Sequence, residues 1–342
     1  MSCDMTEADI RAALAPFNLA HRIDGVYIKD GLVQLSLMAS KAEAASLEPL
    51  RRDIEARLKA VDGVKSVSIV FTAAKAATSE APSATPEPPL LPHVRHVVAV
   101  ASGKGGVGKS TVAVNLAVAL AQSGLKIGLL DADIYGPSLP KMLGLNTQPP
   151  VLNGRLQPLL AYDIKVMSIG FLVPEDKAMI WRGPMVMGAL NQMLGQVEWG
   201  ALDILLVDMP PGTGDAQLTL VQKAKPSGAV VVSTPQDLAL LDARRGVQMF
   251  QQVGVNLLGI VENMSYFCCP ACGHRAEIFG HGGARAEAAA INVPFLGEVP
   301  LQLAVRQGGD EGKPVTVTDP SGETAQRFSQ IAGTIIQALA LS

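Results

Sequence analysis

Short runs of apolar residues alternate with longer segments of helical period along most of the chain after residue 95. Strands that are buried on both faces read as continuous apolar runs, so this alternation predicts a parallel β-sheet covered by helices on both faces. The predicted strands cover residues 97–101, 127–130, 164–169, 204–207, 229–232 and 257–261. Because ligands of open α/β sheets bind beyond the carboxyl ends of the strands, a site is expected near the polar residues that follow five of these runs: Ser102, Asp131, Asp208, Ser233 and Glu262.

The first 72 residues carry a different pattern, which predicts a small α+β domain. A helical stripe comes first, two alternating strands flank a short turn, and a second helical stripe and a third strand follow. The signals are Ile10, Ala13 and Leu14 for the first helix, 26–28 and 32–37 for the hairpin strands, Leu47, Leu50, Ile54 and Leu58 for the second helix, and 67–70 for the last strand. No convergent cluster of polar residues accompanies this αββαβ unit.

Between the two patterns, residues 73–92 are rich in Ala, Pro, Ser and Thr and have no apolar period. Such a composition is typical of an extended, semi-rigid linker. The expected domains are therefore a small α+β domain at 1–72, a linker at 73–94 and a large α/β domain at 95–342.

Composition and charge narrow the class of protein. Of the 342 residues, 48% are hydrophobic and 17% are charged, which is a globular composition, and the formal net charge is −3. A slightly acidic chain gives no reason to expect a nucleic-acid partner. There is no apolar run of membrane-spanning length and no signal-peptide pattern at the start, so a cytoplasmic protein without a membrane partner is expected.

The strongest chemical signal is GKGGVGKS at residues 103–110, a phosphate-binding loop of the form GxxxxGK[ST]. It follows a predicted buried strand and opens a predicted helix, as this loop requires. Glycines let the backbone N–H groups turn toward phosphates, and the helix N-terminus adds partial positive charge. The expected ATP-binding residues are Gly103, Lys104, Gly105, Gly106, Val107, Gly108, Lys109, Ser110 and Thr111, with Lys109 on the β and γ phosphates and Ser110 on Mg²⁺.

A second lysine, Lys104, directly follows the first glycine of the loop. An ordinary phosphate loop needs only Lys109, and Lys104 is well placed to reach phosphate across a dimer interface. The sequence KGGVGKS resembles the deviant Walker A loop of the ATPases that include MinD, ParA, ArsA and the nitrogenase iron protein. That resemblance implies a P-loop NTPase fold and a homodimer that encloses the nucleotides, in which Lys104 contacts the ATP of the partner subunit.

Carboxylates that would serve the loop follow other predicted strands. Asp208, at the end of a buried run in ILLVDMPPGTGD, suits the role of holding Mg²⁺ through water. In LLDADIYGPS, the resemblance implies that Asp133 positions the attacking water and that Asp131 lies near Mg²⁺, although an aspartate after a strand often caps a helix instead. Asn263, in GIVENMS, would by resemblance recognise the adenine edge; its alternative is an ordinary turn residue.

Three of the four cysteines lie within five residues, in YFCCPACGH. The spacing Cys269-x-x-Cys272, followed by glycine, lets two sulfurs approach one metal. Two ligands do not complete a four-ligand site, so either Cys268 and His274 supply the others or a second subunit contributes its own pair. Four thiolates could hold Zn²⁺ or a [4Fe–4S] cluster. Cys3 stands alone and is assigned no function.

Taken together, the deviant loop, DADIYGPS, DMPPGTGD, ENMSYFxCPxCG and IFGHGGAR resemble the Mrp/ApbC family of iron–sulfur cluster carrier ATPases, over about residues 95–340. The resemblance implies that Cys269 and Cys272 bridge a labile [4Fe–4S] cluster between two subunits. It also implies slow ATP hydrolysis coupled to transfer of the cluster to apo-proteins, with upstream scaffold proteins as further partners. The small domain resembles the iron–sulfur assembly type that often precedes this ATPase, but it lacks the cysteine of that type.

Two other functions fit parts of the sequence. A positioning ATPase of the MinD/ParA type shares the loop, but its membrane-bound members carry a basic amphipathic tail, and here no lysine or arginine follows Arg327. A P-loop dimer in which Cys269 and Cys272 hold a structural zinc ion is the other alternative.

Overall fold

The computed structural model describes residues 7–17, 19, 23–29, 32–38, 48–61, 64, 66–72, 90–134, 136–172 and 183–341. Cys3, the predicted turn residues Asp30 and Gly31, and most of the predicted linker lie outside this part of the chain. The chain divides into two compact units, Met1–Glu87 and Pro88–Ser342.

The small unit has the predicted order of helix, two strands, helix and strand. Its elements are α1 (Glu7–Leu14) with a 3₁₀ turn (Ala15–Phe17), β1 (Ile23–Lys29), β2 (Leu32–Met38), α2 (Glu48–Lys59) and β3 (Ser66–Thr72). Strand β2 pairs antiparallel with β1 and parallel with β3. The core of this unit contains Val33 and Leu35, which alternate along β2, and Ile54 and Leu58, which are four residues apart on α2. These spacings are the ones that the strand and helix periods predict for buried residues.

The large unit is built on a nine-stranded sheet, and the predicted α/β fold with a mostly parallel sheet is confirmed. Along the sheet the order is β13-β12-β11-β4-β10-β5-β9-β8, and β14 also pairs with β12. Only the edge strands β8 and β13 run antiparallel to their neighbours. The strands are β4 (Val94–Ala101), β5 (Ile127–Asp131), β8 (Leu159–Ala161), β9 (Ile164–Ser168), β10 (Leu202–Asp208), β11 (Gly228–Ser233), β12 (Leu257–Cys268), β13 (Arg275–Ala276) and β14 (Phe295–Leu301). A separate hairpin pairs β6 (Val151–Leu152) with β7 (Arg155–Leu156).

Helices connect these strands and bury their apolar faces against the sheet. The buried core includes whole strands such as β5 and β11, whose side chains are buried at every position. The helices are α3 (Lys109–Gln122), α4 (Leu139–Met142), α5 (Gly183–Gly195), α6 (Asp215–Ala224), α7 (Asp237–Gln252), α8 (Gly283–Ala290), α9 (Leu303–Glu311), α10 (Val315–Thr318) and α11 (Glu323–Ala338), with a 3₁₀ turn at Ile169–Phe171. No helix in the described ranges is both long enough and apolar enough to cross a bilayer. A cytoplasmic location stays a prediction.

Most strand bounds differ from the sequence prediction by a few residues, and three boundaries change the interpretation of the chain. Strand β12 does not end at Val261 but continues to Cys268, with a left-handed Met264 (φ 57°) and an irregular register with β14 along its length. Ile169 begins a 3₁₀ turn that the Ser168 hydroxyl caps by accepting from the Gly170 N–H, so it does not extend β9. Leu91 packs against the core of the large unit, so the last residues of the predicted linker belong to that unit.

Candidate functional site

The phosphate loop joins the end of β4 to the start of α3, as predicted. Gly108 is left-handed (φ 79°), and a side chain there would also overlap the Asn263 amide, so the position requires glycine. A Cβ on Gly103 would overlap the carbonyl of Asp242, because the loop passes directly against helix α7. Gly105 and Gly106 have open space beside them. The loop is therefore packed at its two ends and open in its middle.

Lys109 and Ser110 converge on Asp208, which ends strand β10. The Lys109 Nζ lies 2.5 Å from one carboxylate oxygen of Asp208, and the Ser110 hydroxyl donates to the other at 2.6 Å. Lys109 is 6% exposed and Asp208 is fully buried. Burial raises the pKa of Asp208, while the charge and hydrogen bond of Lys109 act in the opposite direction. The three groups expected around Mg²⁺ and the terminal phosphates thus meet at one point.

Asp131 lies beside Asp208, because the two residues are register partners on β5 and β10. One oxygen of Asp131 accepts from the Asp133 N–H, and the other accepts from the Ser168 hydroxyl and from the N–H groups of Ser138 and Leu139. Burial, followed by the charge of Asp208, raises the pKa of Asp131 to about 7. Its oxygens are therefore engaged in holding the segment between β5 and α4.

That segment carries Asp133, which the resemblance assigned to the attacking water. The Asp133 carboxylate lies 3.9 Å from the Lys109 Nζ, which also contacts Asp208. Asp133 is 14% exposed, so it is more accessible to solvent than the fully buried Asp208. Asp131 thus orients the backbone of Asp133 through the Asp133 N–H, while Asp133 itself points toward Lys109.

Asn263 lies on β12 beside the phosphate loop and is buried. Its Nδ2 donates to the Val107 carbonyl at 2.9 Å. Asn263 and Thr111 also line a cavity of about 660 Å³, a size that accepts a small-molecule ligand. The rest of the wall comes from strands β12 and β14 and from the α4 and α9 regions, and it includes Met264, Pro300, Ser138, Lys141, Gln302 and Arg306.

Lys104 differs from Lys109 in exposure and in the contacts of its side chain. Its side chain is exposed, and its Nζ makes no hydrogen bond or ion pair within the described ranges. Its carbonyl accepts from the Ser102 hydroxyl at 2.9 Å, so the backbone is held while the charge faces outward.

The predicted cysteine turn connects β12 to β13. The Cys269 N–H donates to the His274 carbonyl, and the Gly273 N–H donates back to the Cys269 carbonyl, which closes a tight turn with Gly273 left-handed (φ 71°). Cys269 is half-buried and Cys272 is exposed. The N–H groups of Ala271 and Cys272, together with the Cys272 thiol, lower the pKa of Cys269. The turn therefore favours the thiolate form that metal binding needs.

Cys268 ends strand β12, and His274 closes the turn immediately before β13. Successive side chains of a strand point to opposite faces, and Cys268 is the last residue of β12, opposite Arg275 on β13. Cys268 therefore shares the face of Tyr266, whereas Cys269 begins the turn. His274 is exposed, and its carbonyl rather than its ring is used in the turn.

Residues 93–336 match the family described as ParA, the NUBPL iron-transfer P-loop NTPases. The chain belongs to this family. Membership confirms the resemblance to iron–sulfur carrier ATPases that the motifs indicated.

Relatives named as iron–sulfur cluster proteins agree with this assignment. An iron–sulfur cluster carrier protein of Synechocystis sp. is 47% identical over 334 residues, which are 95% of this chain and 92% of the relative. The mouse iron–sulfur cluster transfer protein NUBPL is 53% identical over 249 residues, which are 72% of this chain and 78% of the relative. A solved nucleotide-binding protein of Archaeoglobus fulgidus in complex with ADP is 43% identical, with a TM-score of 0.60, and covers 69% of this chain and 93% of its own.

In this NUBPL-family chain, sequence reasoning missed a network that fastens the cysteine hairpin to the sheet. The Arg275 guanidinium lies 3.8 Å above the centre of the Tyr266 ring, and its Nη2 lies 2.8 Å from Nε2 of His281. That nitrogen in turn lies 2.9 Å from a carboxylate oxygen of Glu298. Tyr266 is buried, and its hydroxyl donates to Glu323 on α11 at 2.5 Å. The one sequence signal for this network is Arg275, a basic residue three positions after Cys272.

Glu262, His281 and Glu298 bring three ligand atoms within 4.8 Å of one another, but their surroundings favour an ion-pair network over a metal site. Glu262 uses both oxygens to cap helix α8, because it accepts from the Gly282 and Ala284 N–H groups. The Arg275 guanidinium already supplies a cation beside His281 and Glu298.

Proposed function

We propose that this chain binds and hydrolyses ATP and carries a labile [4Fe–4S] cluster as a homodimer, in which each subunit contributes Cys269 and Cys272. The recipients are apo iron–sulfur proteins, and upstream scaffold proteins supply the cluster. The observation that carries the proposal is the turn with a thiolate-favouring Cys269, which directly follows the strand whose Asn263 contacts the phosphate loop. Relatives named as iron–sulfur cluster carriers support it.

The nucleotide half of the proposal assigns one role to each group. Lys109 neutralises the transferring phosphoryl group, while Ser110 and Asp208 hold Mg²⁺, which supplies charge stabilisation when bound. Asp133 orients the attacking water, and Asp131 acts by ordering the segment that carries Asp133. This last assignment moves Asp131 away from the metal, because its oxygens already accept four protein hydrogen bonds.

The cavity beside Asn263 is assigned to the nucleoside. It adjoins Thr111 at the start of α3, so a nucleotide with its phosphates in the loop would extend into it. The Asn263 amide retains an acceptor oxygen and a second N–H for the base while it bonds Val107.

The homodimer follows from two half-sites. A cluster with four thiolate ligands needs two more than one turn provides. Lys104, exposed beside a loop that already has Lys109, likewise has no hydrogen-bond or ion-pair partner among the residues that the structure describes. One symmetric dimer supplies both, because each chain brings two thiols and one lysine to its partner.

The test is anaerobic reconstitution followed by transfer to an apo-ferredoxin, with and without ATP. A brown protein that absorbs near 400 nm, with about one [4Fe–4S] per dimer and ATP-dependent transfer, is expected. Purified protein that holds only zinc and takes up no iron and sulfide would instead assign the thiols to a structural zinc site.

Substitution of Lys104 tests the role of the partner subunit. Lys104→Ala should bind ATP normally but lose hydrolysis by about 10²–10³-fold, because one stabilising charge in the transition state is removed. An equal mixture of Lys104→Ala and Lys109→Ala subunits should regain about a quarter of wild-type turnover, since mixed dimers contain one complete site. Steady-state phosphate release measures both. If Lys104 acted in its own subunit, the mixture would stay inactive.

Arg275→Ala tests the hairpin network. Loss of a cation–π contact of about 1 kcal/mol should speed cluster loss to a chelator about fivefold while ATP binding stays unchanged. The matched control is Arg285→Ala, because Arg285 lies 4.4 Å above the Phe295 ring in the same unit but outside the hairpin. Absorbance decay during chelation measures the rate, and Arg275→Lys should restore most of the lifetime. If the Arg275 and Arg285 substitutions speeded cluster loss equally, the contacts of Arg275 would have no specific role in holding the cluster.

A further inference from the structure

The segment 209–214 leads from Asp208, at the end of β10, into helix α6. The sheet holds its first residue, because the Met209 N–H donates to the Val100 carbonyl at 3.0 Å. Pro210 and Pro211 follow and have no N–H group, so the backbone cannot continue these hydrogen bonds. Other groups must therefore fix the segment beyond Met209.

Gln217, in the first turn of α6, holds the next carbonyl of the segment. Its Nε2 donates to the Pro210 carbonyl at 2.5 Å, and both residues are buried, with Gln217 only 1% exposed. The Oε1 atom of the same amide is also buried, yet it has no hydrogen-bond partner among the residues that the structure describes. One half of the Gln217 amide is thus used, and the other half is not.

Stability alone does not account for a glutamine at this position. A buried acceptor without a donor costs free energy, so an apolar side chain of the same length would avoid the unmet oxygen of Gln217. Departures of this kind from the usual pairing of buried polar groups are expected at functional sites. The N–H that reaches Pro210 is therefore the part of Gln217 that has a use.

The segment that Gln217 holds is connected to the phosphate loop. The Gly212 N–H donates to the Ser102 carbonyl at 3.1 Å, and Gly212 is left-handed (φ 97°), a conformation that glycine allows. The Ser102 hydroxyl in turn donates to the Lys104 carbonyl at 2.9 Å. Hydrogen bonds and three residues of chain thus link the Gln217 amide to the backbone of Lys104.

We propose that Gln217 is a positioning residue for ATP hydrolysis, which fixes the segment 209–214 against the start of the phosphate loop through the Pro210 carbonyl. Gln217 acts through Pro210 and Gly212 and not by contact with the nucleotide. Its effect on turnover rests on the proposed function, since that function supplies the hydrolysis, whereas its effect on the segment does not.

The experiment compares Gln217→Met with wild type, Gln217→His and Gln122→Met. Methionine has nearly the length of glutamine without its polar atoms, and histidine returns a ring N–H that can donate to Pro210. Gln122 is the control, because its Nε2 also donates to a backbone carbonyl, that of Thr316, but at the far end of α3. Steady-state phosphate release gives kcat and KM, thermal unfolding gives Tm, and hydrogen exchange of nucleotide-free protein reports on the backbone N–H of Gly212.

Gln217→Met should lower kcat about tenfold or more and leave KM for ATP within about threefold, because the loop still binds phosphate but the groups around it are misplaced. Exchange at Gly212 should become about tenfold faster, since its hydrogen bond to Ser102 opens more often. Tm should change by only a few degrees, because the substitution removes one unmet buried oxygen and creates another at Pro210. Gln217→His should recover most of the turnover, and Gln122→Met should retain wild-type turnover and Gly212 exchange.

Three results would overturn this role. Wild-type kcat and wild-type exchange at Gly212 in Gln217→Met show that the segment keeps its position without the amide. A loss of turnover that Gln217→His does not restore in folded protein shows that the bond to Pro210 is not the cause. A fall of Tm that accounts for the lost turnover makes Gln217 a purely structural residue. Failure of the proposed function is distinct, because wild-type protein would then release no phosphate, while exchange at Gly212 would still test the contact.

Discussion

Cys269→Ser should abolish cluster binding, with iron and sulfide per dimer falling to background after anaerobic reconstitution. Cys269 is the thiol that the turn activates, since two backbone N–H groups and the Cys272 thiol lower its pKa. A thiolate is the form that ligates iron, and in the proposed homodimer this one change would remove two of the four ligands. Loss of the absorption near 400 nm measures the effect, and ATP binding should be unchanged.

Cys268→Ser is the matched control for that result, because it removes the adjacent thiol with the same atom change. Cys268 lies on the face of β12 that Tyr266 occupies, so its loss should leave cluster content within about twofold of wild type. The opposite outcome, with Cys268→Ser empty and Cys269→Ser loaded, would contradict the assignment of the ligands.

Lys109→Ala should reduce ATP hydrolysis by about 10³-fold or more, because it removes the buried charge next to the transferring phosphoryl group. Phosphate release under saturating ATP measures the loss. The substitution also leaves the Asp208 carboxylate without the ammonium that lies 2.5 Å away. Removing one member of a buried ion pair costs about 3–5 kcal/mol of unfolding free energy, so catalytic and stability effects need to be separated.

The pH dependence of stability provides that separation. Burial already raises the pKa of Asp208, and loss of Lys109 removes the charge that opposes this rise. A carboxyl whose pKa is raised in the folded state favours folding at low pH and loses that contribution as pH rises through the raised value. The stability deficit of Lys109→Ala should therefore be larger at pH 8 than at pH 5.5, measured by thermal unfolding.

Asp208→Asn in the Lys109→Ala background removes the buried charge and should recover most of the melting temperature while hydrolysis stays lost. If the double variant regained turnover, the defect of Lys109→Ala would lie in folding rather than in the chemistry. Equal stability deficits at both pH values would contradict the buried, unpaired carboxylate as their cause.

The phosphate loop and its fold could be predicted because their signals are local. A glycine-rich loop with Lys109 and Ser110 needs a strand before it and a helix after it, and both are encoded by neighbouring apolar periods. Asp208 was predictable for a similar reason, since the four apolar residues before it indicate a buried strand, and β10 does end at Asp208. The position of the cysteine turn likewise follows from the Cys269-x-x-Cys272-Gly pattern, which needs only five residues.

The bounds of β12 could not be read in this way. Its polar residues Glu262 and Asn263 look like the end of a strand, yet β12 continues because those side chains are satisfied from distant segments. Glu262 accepts from N–H groups of Gly282 and Ala284, and Asn263 donates to Val107. Burial of polar groups depends on partners far along the chain, which periodicity does not reveal.

By itself, therefore, the sequence determined the class of fold, the loop that receives phosphate and the thiols that suit a metal, since each depends on residues close in the chain. Only the tertiary structure decided that Asp131 organises the Asp133 segment, that Cys268 ends strand β12 opposite Arg275, and that Arg275 contacts the Tyr266 ring. Each of these features is a contact between segments that are far apart in the chain. The packing of the whole sheet determines which of those segments become neighbours.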